Sequence, residues 1–530
     1  MRMTQTKLNL LAAIFFVLLC NFSFFQHVID VYPITLKNSG FLISLAVGLT
    51  AIILLMLTLV SSEYTTKPVL ILLLLTSSIT AYFMDTLSVV IDHTMLQNVF
   101  QTNLKETVDL LSVKLLWYCA FLGVLPSIVI YKIRLESMPW KRALLAKIKT
   151  AALAMVVVLS LVLLFSKFYA SFFREHKPLR YYTNPTYVLY SIGKYINKNF
   201  YTTRDVVRPL GLDAQIPATD KDRELIIMVV GEALRADRLS LNGYQRQTNP
   251  LLQKEDVLSF TQMYSSGTST AFSVPCMFSN FPRELFDERK GATNENLLDV
   301  LQHAGVHVLW RDNNSDSKGV ATRVPYQDYK QRAINSMCDE VECRDEGMLV
   351  GLQDYINTHQ QGDIVIVLHQ MGNHGPAYYK RYPATFEHFT PTCQTNQLDE
   401  CTNEEISNTY DNAVLYTDYF LQKVINLLKD NTSRFETAMV YMSDHGESLG
   451  EFGIYLHGLP YAMAPDSQKH IASVLWFGDS FKIDKKALQQ KANQPFSHAN
   501  LFHTMLGLME IETSVYNKNL DIIHDCKFSE

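Results

Sequence analysis

Hydrophobic and polar positions divide the chain into two stretches that follow different rules. In the first 170 residues the apolar positions run together. Residues 8–25, 41–60, 68–90, 115–131 and 151–168 are long enough, or nearly so, to cross about 30 Å of hydrocarbon as helices. Buried core helices explain five such runs in succession poorly. The first run is not read as a cleaved leader, because Val17-Leu18-Leu19-Cys20 lacks the small residues of a processing site. After residue 222 the runs shorten and alternate with amphipathic stretches. Residues 225–230, 257–264, 306–310, 364–368, 439–442 and 472–477 read as strands, and residues 294–304, 346–357 and 403–429 as helices. This alternation predicts an α/β domain with a largely parallel sheet covered by helices on both faces.

Three parts are therefore expected: a five-helix transmembrane domain over residues 1–170, an interfacial bridge and linker over 171–221, and an α/β domain over 222–530. The bridge interleaves Tyr181, Tyr182, Tyr187, Tyr190, Tyr195 and Phe200 with Lys177, Arg180, Lys194 and Lys198, a mixture suited to a bilayer surface.

Charge fixes orientation more than partner. The net charge of −5 argues against nucleic-acid binding. Arg2 and Lys7 precede the first apolar run, and Lys132, Arg134, Lys141, Arg142, Lys147 and Lys149 fill the loop after the fourth. Positive segments stay in the cytoplasm, so five spans place everything after the fifth on the far side. The segment after the third run carries Asn98, Thr102 and Glu106 at helical spacing, a polar stripe able to grip a lipid headgroup. Such a stripe is more often a solvated face. Cysteine usage agrees with export. Cys338 and Cys343, and Cys393 and Cys401, form two close pairs without the C-x-x-C spacing of zinc sites, and read as disulfides. Cys20 and Cys119 lie in spans, and Cys276 and Cys526 are left without an evident partner.

The candidate chemistry lies just past strand ends, where α/β folds build sites. Ser443-Asp444-His445-Gly446 follows one strand and Gly231-Glu232 another. His457-Gly458 returns from a glycine-punctuated loop, His369 and His374 flank a glycine turn, and Gly267-Thr268-Ser269-Thr270 precedes a short helix. Taken singly, each is more often a turn, a cap or a surface residue. Gly446-Glu447-Ser448-Leu449-Gly450 also fits the nucleophile elbow of serine hydrolases, but its strand ends too early and a loop follows.

Together the motifs are more specific. Val229-Val230-Gly231-Glu232, Leu241-Asn242-Gly243-Tyr244, Gly267-Thr268-Ser269-Thr270-Ala271, Pro275-Cys276-Met277-Phe278-Ser279, Trp310-Arg311-Asp312-Asn313-Asn314, His374-Gly375-Pro376 and the stretch from Ser443 to Gly450 resemble the phosphoethanolamine transferases. These are membrane-anchored, alkaline-phosphatase-like (sulfatase-type) enzymes of Gram-negative bacteria. They include lipid A-modifying enzymes and mobile colistin resistance proteins. The resemblance covers essentially the whole chain.

It implies transfer of phosphoethanolamine from phosphatidylethanolamine to lipid A, with resistance to polymyxin and cationic peptides. Glu232, Thr270, Asp444 and His445 match zinc ligands, and Thr270 is also the nucleophile. His374, His457, Lys318 and His369 match positions that hold the phosphoryl group or a second zinc. Asn98, Thr102 and Glu106 match a lipid-headgroup site. One tight Zn2+, a second during turnover, a monomer in the inner membrane and a periplasmic catalytic domain are the remaining expectations. Lipopolysaccharide core, glucan or protein remain alternative acceptors, and an inactive scaffold is the alternative of another class. A sulfatase is disfavoured because Thr270-Ala271-Phe272-Ser273-Val274 lacks the C/S-x-P-x-R setting. One departure stands out: Ser266 occupies the place of a cysteine that relatives carry before Gly-Thr, so Cys276 loses its expected partner.

The orientation is checked by fusing a reporter that works only in the periplasm after Phe200. Activity is expected, and a silent fusion with a working cytoplasmic reporter at the same point would refute it.

Overall fold

A computed structural model describes residues 2–101, 110–174, 176–200, 206–339 and 342–527. The chain forms two compact units: Met1–Leu96 with Leu111–Tyr201, and Gln97–Leu110 with Thr202–Glu530.

The first unit is a helical bundle. Helices α3 (Leu36–Val60), α4 (Thr66–Leu87), α5 (Val113–Lys132) and α6 (Trp140–Leu164) are each long and apolar enough to cross a membrane. The first predicted span is not one straight helix. Helix α1 (Gln5–Leu19) and helix α2 (Phe22–Val31) meet at a 57° bend, so the described residues hold four helices of membrane-crossing length and composition, or five if this pair counts as one. Asn21 explains the bend. Its Nδ2 donates to the carbonyl of Phe16 at 2.9 Å and to that of Asn184 at 2.5 Å, and its Oδ1 accepts from the Asn184 amide at 2.9 Å. A buried amide satisfied this way replaces the helical bonds lost at the break.

The structure corrects the basic loop. Lys141, Arg142, Lys147 and Lys149 lie on α6, which starts at Trp140 behind Pro139. Lysine and arginine are good helix formers, and their long stems let charged heads leave the apolar zone. Arg2 pairs with Arg134 and Met3 with Leu135 in a short parallel bridge. The two basic segments therefore share one end of the bundle, as one-sided retention requires. Helix α4 ends on Ser88 in a left-handed conformation.

The second unit is built on a seven-stranded sheet. Its strands are β1 (Glu224–Gly231), β2 (Val257–Ser259), β3 (His307–Asp312), β4 (Tyr326–Asp328), β5 (Ile364–His369), β6 (Glu436–Ser443) and β7 (Ser473–Phe477), in the spatial order β2-β7-β6-β1-β5-β3-β4. Only β7 runs against its neighbours. Every residue of β1 is buried, as expected of a central strand covered on both faces. Ile226, Met228 and Val230 join a core with Val365, Val367, Val440 and Met442 on one face. The long helix α8 (Asn403–Lys429), started by a Thr402/Glu405 capping box, packs on β1 and β6.

Three expected elements change form. Residues 257–264 give two short strands, Val257–Ser259 and Met263–Tyr264. The helix expected over 294–304 begins at Leu297 behind an Asn296 capping box. The helix expected over 346–357 is broken by Gly351 at φ +72°, leaving a 3-10 turn and the helix Leu352–Thr358. Cys338 is bonded to Cys343 and Cys393 to Cys401, while Cys276 and Cys526 are free thiols.

The amino ends of the strands gather carboxylates. The Glu224 amide donates to Asp363 Oδ1 at 3.1 Å, and Glu224 is 2% exposed. Burial, reinforced by Asp363 and Asp220, raises the Glu224 carboxyl above its ordinary value. The folded chain thus holds a proton that the unfolded chain has released. Stability is present below the ordinary glutamate value and is lost as pH rises towards the raised folded value. Glu224→Gln, which imitates the protonated form, should melt a few degrees above the parent at pH 8 and level with it at pH 4. A variant less stable than the parent at pH 8 would refute this.

Candidate metal and nucleophile site

The register of β1 and β6 sets the site. Gly231 lies opposite Ser443, so the next residues, Glu232 and Asp444, emerge side by side. The Asp444 amide donates to the Gly231 carbonyl at 2.9 Å, and the Ala233 amide donates to Asp444 Oδ1 at 3.1 Å. Ala233 itself has φ +56°, a strained conformation that this clasp maintains. Gly372 closes over the same turn at φ +48°; a Cβ there would lie 2.9 Å from the Glu232 carbonyl oxygen.

Thr270 comes from another element. It opens helix α7 (Thr270–Met277), with Ser269 in the cap position. Its Oγ1 lies 3.2 Å from Glu232 Oε2 and 3.3 Å from His445 Nε2. Neighbouring hydroxyls are placed differently. Thr268 donates to the Leu459 carbonyl at 2.6 Å, and the Thr268 carbonyl accepts from the Gly458 amide at 2.7 Å. Of the three hydroxyls in the Thr-Ser-Thr run, Thr270 carries the contacts to both Glu232 and His445.

His445 closes the group. Its Nδ1 lies 2.9 Å from the Gly446 carbonyl, which accepts only if that nitrogen carries the proton. Nε2 then presents a lone pair to Glu232 Oε1 at 3.3 Å and Asp444 Oδ2 at 3.4 Å. Burial pushes the His445 imidazole down to about 4, against the pull of Asp444, so it is neutral at pH 7. Asp444 Oδ2 is buried and accepts no hydrogen bond among the described residues. Ligand atoms of Glu232, Asp444 and His445 all fall within 4.8 Å of one another. Fully buried lone pairs facing each other repel unless a cation lies between them. One imidazole and two carboxylates form a donor set that suits zinc.

Two further histidines follow, His457 tilted against His445 and His374 edge-on to His457. The rings of His445 and His457 are 4.2 Å apart, and those of His457 and His374 5.6 Å. His457 Nδ1 meets Glu447 Oε1 at 3.2 Å. Burial, then His457, Arg381, His445 and Lys318, holds His374 well below its ordinary value. Lys318 thus acts on the site through its charge, and its ammonium donates to Ser315 Oγ at 2.6 Å. It sits in a strained turn, with Asp316 at φ +104° and Lys318 at φ +50°. His369 stands apart from this group. It ends β5 and turns Nδ1 to Asp312 Oδ2 at 2.9 Å. Asn98 lies on the helix His93–Gln101, while Thr102 and Glu106 lie outside the described residues.

Reading the sequence missed several supporting groups. Asn314 Nδ2 donates to Glu232 Oε2 and to the Gln370 carbonyl, both at 2.7 Å. Asp345 takes the amides of Met371 and Gly372 and so shapes the turn between His369 and His374. His498 accepts from the Ser266 amide at 3.0 Å and reaches the Ser443 carbonyl at 2.9 Å, tying the threonine loop to the end of β6. Asn314 and Glu447 stand inside quoted motifs, but only their distances reveal their parts. Ser448 lies in a short hairpin and accepts from Gln468 at 2.9 Å, followed by the single 3-10 turn Glu451–Gly453 and not by the α-helix a nucleophile elbow opens, which removes that reading. Cys276 is buried against the Ser266 hydroxyl, and burial pushes its thiol up to about 12.

Residues 224–511 match the family model described as Sulfatase, and residues 49–200 match the model described as phosphoethanolamine transferase EptA/EptB. The phosphatidylethanolamine transferase Mcr-2 of Escherichia coli is 44% identical over 483 residues, covering 88% of each chain. The chain belongs to the phosphoethanolamine transferase family. The phosphoethanolamine transferase EptA of Escherichia coli K12 is 40% identical over 538 residues, covering 99% of this chain and 98% of that one. Among solved structures, the integral membrane lipooligosaccharide phosphoethanolamine transferase A of Neisseria meningitidis superposes with a TM-score of 0.95 at 36% identity, covering 100% of both chains. This transferase therefore has the family's membrane unit joined to an alkaline-phosphatase-like domain.

Metal content tests the site without reference to turnover. After dialysis, the parent should retain about one divalent ion per chain, and Asp444→Ala should retain none. Asn314→Leu, which leaves Glu232 unsupported, should weaken binding about 10- to 100-fold. Full occupancy in Asp444→Ala would refute the assignment.

Proposed function

We propose that this transferase moves phosphoethanolamine from phosphatidylethanolamine to a phosphate of lipid A, through an ester on Thr270. The observation that carries the reading is the meeting of Thr270 Oγ1 with Glu232 and His445, 3.2 and 3.3 Å away, beside a buried Asp444 oxygen that lacks a donor. Glu232, Thr270, Asp444 and His445 would hold one zinc ion. Bound there, the metal supplies the Lewis acidity that favours the threonine alkoxide at neutral pH.

In the first half-reaction the Thr270 hydroxyl loses its proton and Oγ1 bonds to the donor phosphorus. The bond from phosphorus to the diacylglycerol oxygen breaks, and that oxygen takes up a proton. Phosphoethanolamine is left on Thr270. In the second, a phosphate oxygen of lipid A bonds to phosphorus, the Thr270 ester breaks and the hydroxyl is restored. His374, His457 and Lys318 hold the phosphoryl oxygens, with positive charge or N–H donors where negative charge develops. His369, fixed by Asp312, would support this group from outside it, and His374 and His457 would be the place for a second zinc during turnover. Asn98, with Thr102 and Glu106, receives the donor's ammonium. In this reading the chain is a monomer in the bacterial inner membrane with residues 222–530 in the periplasm. Each transfer covers an anionic phosphate with an ammonium, which weakens binding of polymyxin and cationic peptides.

Incubation with phosphatidylethanolamine alone should leave a phosphoethanolamine adduct on the peptide containing Thr270 and release diacylglycerol. Lipid A from cells making the protein should gain the same mass. Thr270→Ala should lose both signals and keep its fold. An adduct on Thr268 or Ser269, or transfer by Thr270→Ala, would overturn the mechanism. An adduct with unmodified lipid A would keep the donor half and move the acceptor elsewhere.

A further inference from the structure

The end of the helical bundle where the basic residues gather holds a small cleft with several polar and charged side chains in its lining, remote in sequence from Glu232, Thr270, Asp444 and His445. Asn9, Ser61, Glu63, Glu136 and Lys147 are among its lining residues. Asn9 is 2% exposed, although it stands on an apolar helix. Its Nδ2 donates to Ser61 Oγ at 2.7 Å, and that hydroxyl donates to the Leu57 carbonyl at 2.6 Å. Asn9 Oδ1 accepts no hydrogen bond among the described residues. A buried acceptor facing a cleft calls for a donor from outside.

The charge in the cleft narrows what that donor is. Glu63 Oε1 accepts from Ser137 Oγ at 2.8 Å and from the Met138 amide at 3.4 Å, both neutral donors. Neither Glu63 nor Glu136 forms an ion pair among the described residues. Lys147, whose ammonium donates to the Ser61 carbonyl, offsets one of the two at most, and it is the one lysine or arginine among the described residues that line the cleft. The cleft therefore offers two carboxylates and one unmet amide oxygen to a group that is both positive and an N–H donor. A primary ammonium has three such donors, whereas a trimethylated one has none. The position adds a second constraint. The cleft lies where α1, α3 and α6 leave their apolar stretches, the depth at which phospholipid headgroups sit. The further N–H donors of Lys147 suit a phosphate oxygen next to such an ammonium.

We propose that this cleft binds a primary ammonium group, carried by the headgroup of an ethanolamine phospholipid in the leaflet on the basic side of the bundle. It would hold a resident lipid of the donor's chemical class, at a place where the donor is not consumed. The assignment does not rest on the catalytic reading.

The test uses the full chain in a Thr270→Ala background, delipidated in detergent, so that no lipid is turned over. Phosphatidylethanolamine, a phosphatidylcholine of matched acyl chains, and free ethanolamine are added separately. Bound lipid is counted by native mass spectrometry, and melting temperature is read in parallel. The expected result is that Glu63→Gln with Glu136→Gln carries one ethanolamine lipid fewer per chain. Its ethanolamine-over-choline gain in melting temperature should fall by at least half. Asn9→Leu, which removes the acceptor and keeps both charges, should lose the same lipid and guards against misfolding of the double variant. Free ethanolamine that displaces this lipid and reproduces the shift would keep the ammonium site and assign it to a soluble amine. An unchanged lipid count and shift in both variants would overturn the proposal and leave the cleft to water.

Discussion

The pairing of β1 with β6 is the constraint on which the catalytic unit depends. Parallel neighbours in this register release Glu232 and Asp444 at the same level, and the amide of Ala233 then clasps the aspartate. Everything else in the site is brought to that pair. Helix α7 delivers Thr270, the turn held by Asp345 closes over Glu232, and the loop after His445 folds back to bring the tilted His457 ring against it. A slip of two residues in this one pairing would separate the carboxylates by about 7 Å and leave each buried without its neighbour.

The long-range features of the fold were legible where composition alone decides. Apolar runs of membrane length, and strands that end on Glu232 and Asp444-His445, announce themselves in one dimension. What was hidden depends on partners far away in sequence. Asn21 bends the first apolar run because Asn184, 163 residues on, receives it. Asn314 supports Glu232 across 82 residues, and the motif that contains it does not say which side chain it reaches. The basic residues from Lys141 to Lys149 looked like a loop because charge interrupts hydropathy, yet helix α6 runs through them. The resemblance identified the ligand set; the distances gave the reasons that set can hold a cation, above all the lone pairs of His445 Nε2 and Asp444 Oδ2.

The threonine loop keeps its shape without the covalent link that its relatives' pattern implies. Ser266 stands where a cysteine was expected, and Cys276 remains a buried thiol against it. His498 supplies a substitute fastening, with one ring nitrogen on the Ser266 amide and the other on the Ser443 carbonyl. Burial pushes that imidazole down to about 4, so it stays neutral and can accept and donate at once. A hydrogen-bonded bridge of this kind ties the loop carrying Thr270 to the strand that ends on Asp444 and His445, and does so in either redox state.

The separation of the ligands along the chain has a consequence for assembly. Ala233 and Asp444 clasp each other across 211 residues. While the polypeptide emerges from the ribosome, its early half carries Glu232 and Thr270, and Asp444 and His445 have yet to join them. The candidate metal pocket does not exist until β6 has slotted beside β1, near the end of synthesis. Any ion is therefore captured only once folding is completed, and selected from the pool present at that place and time.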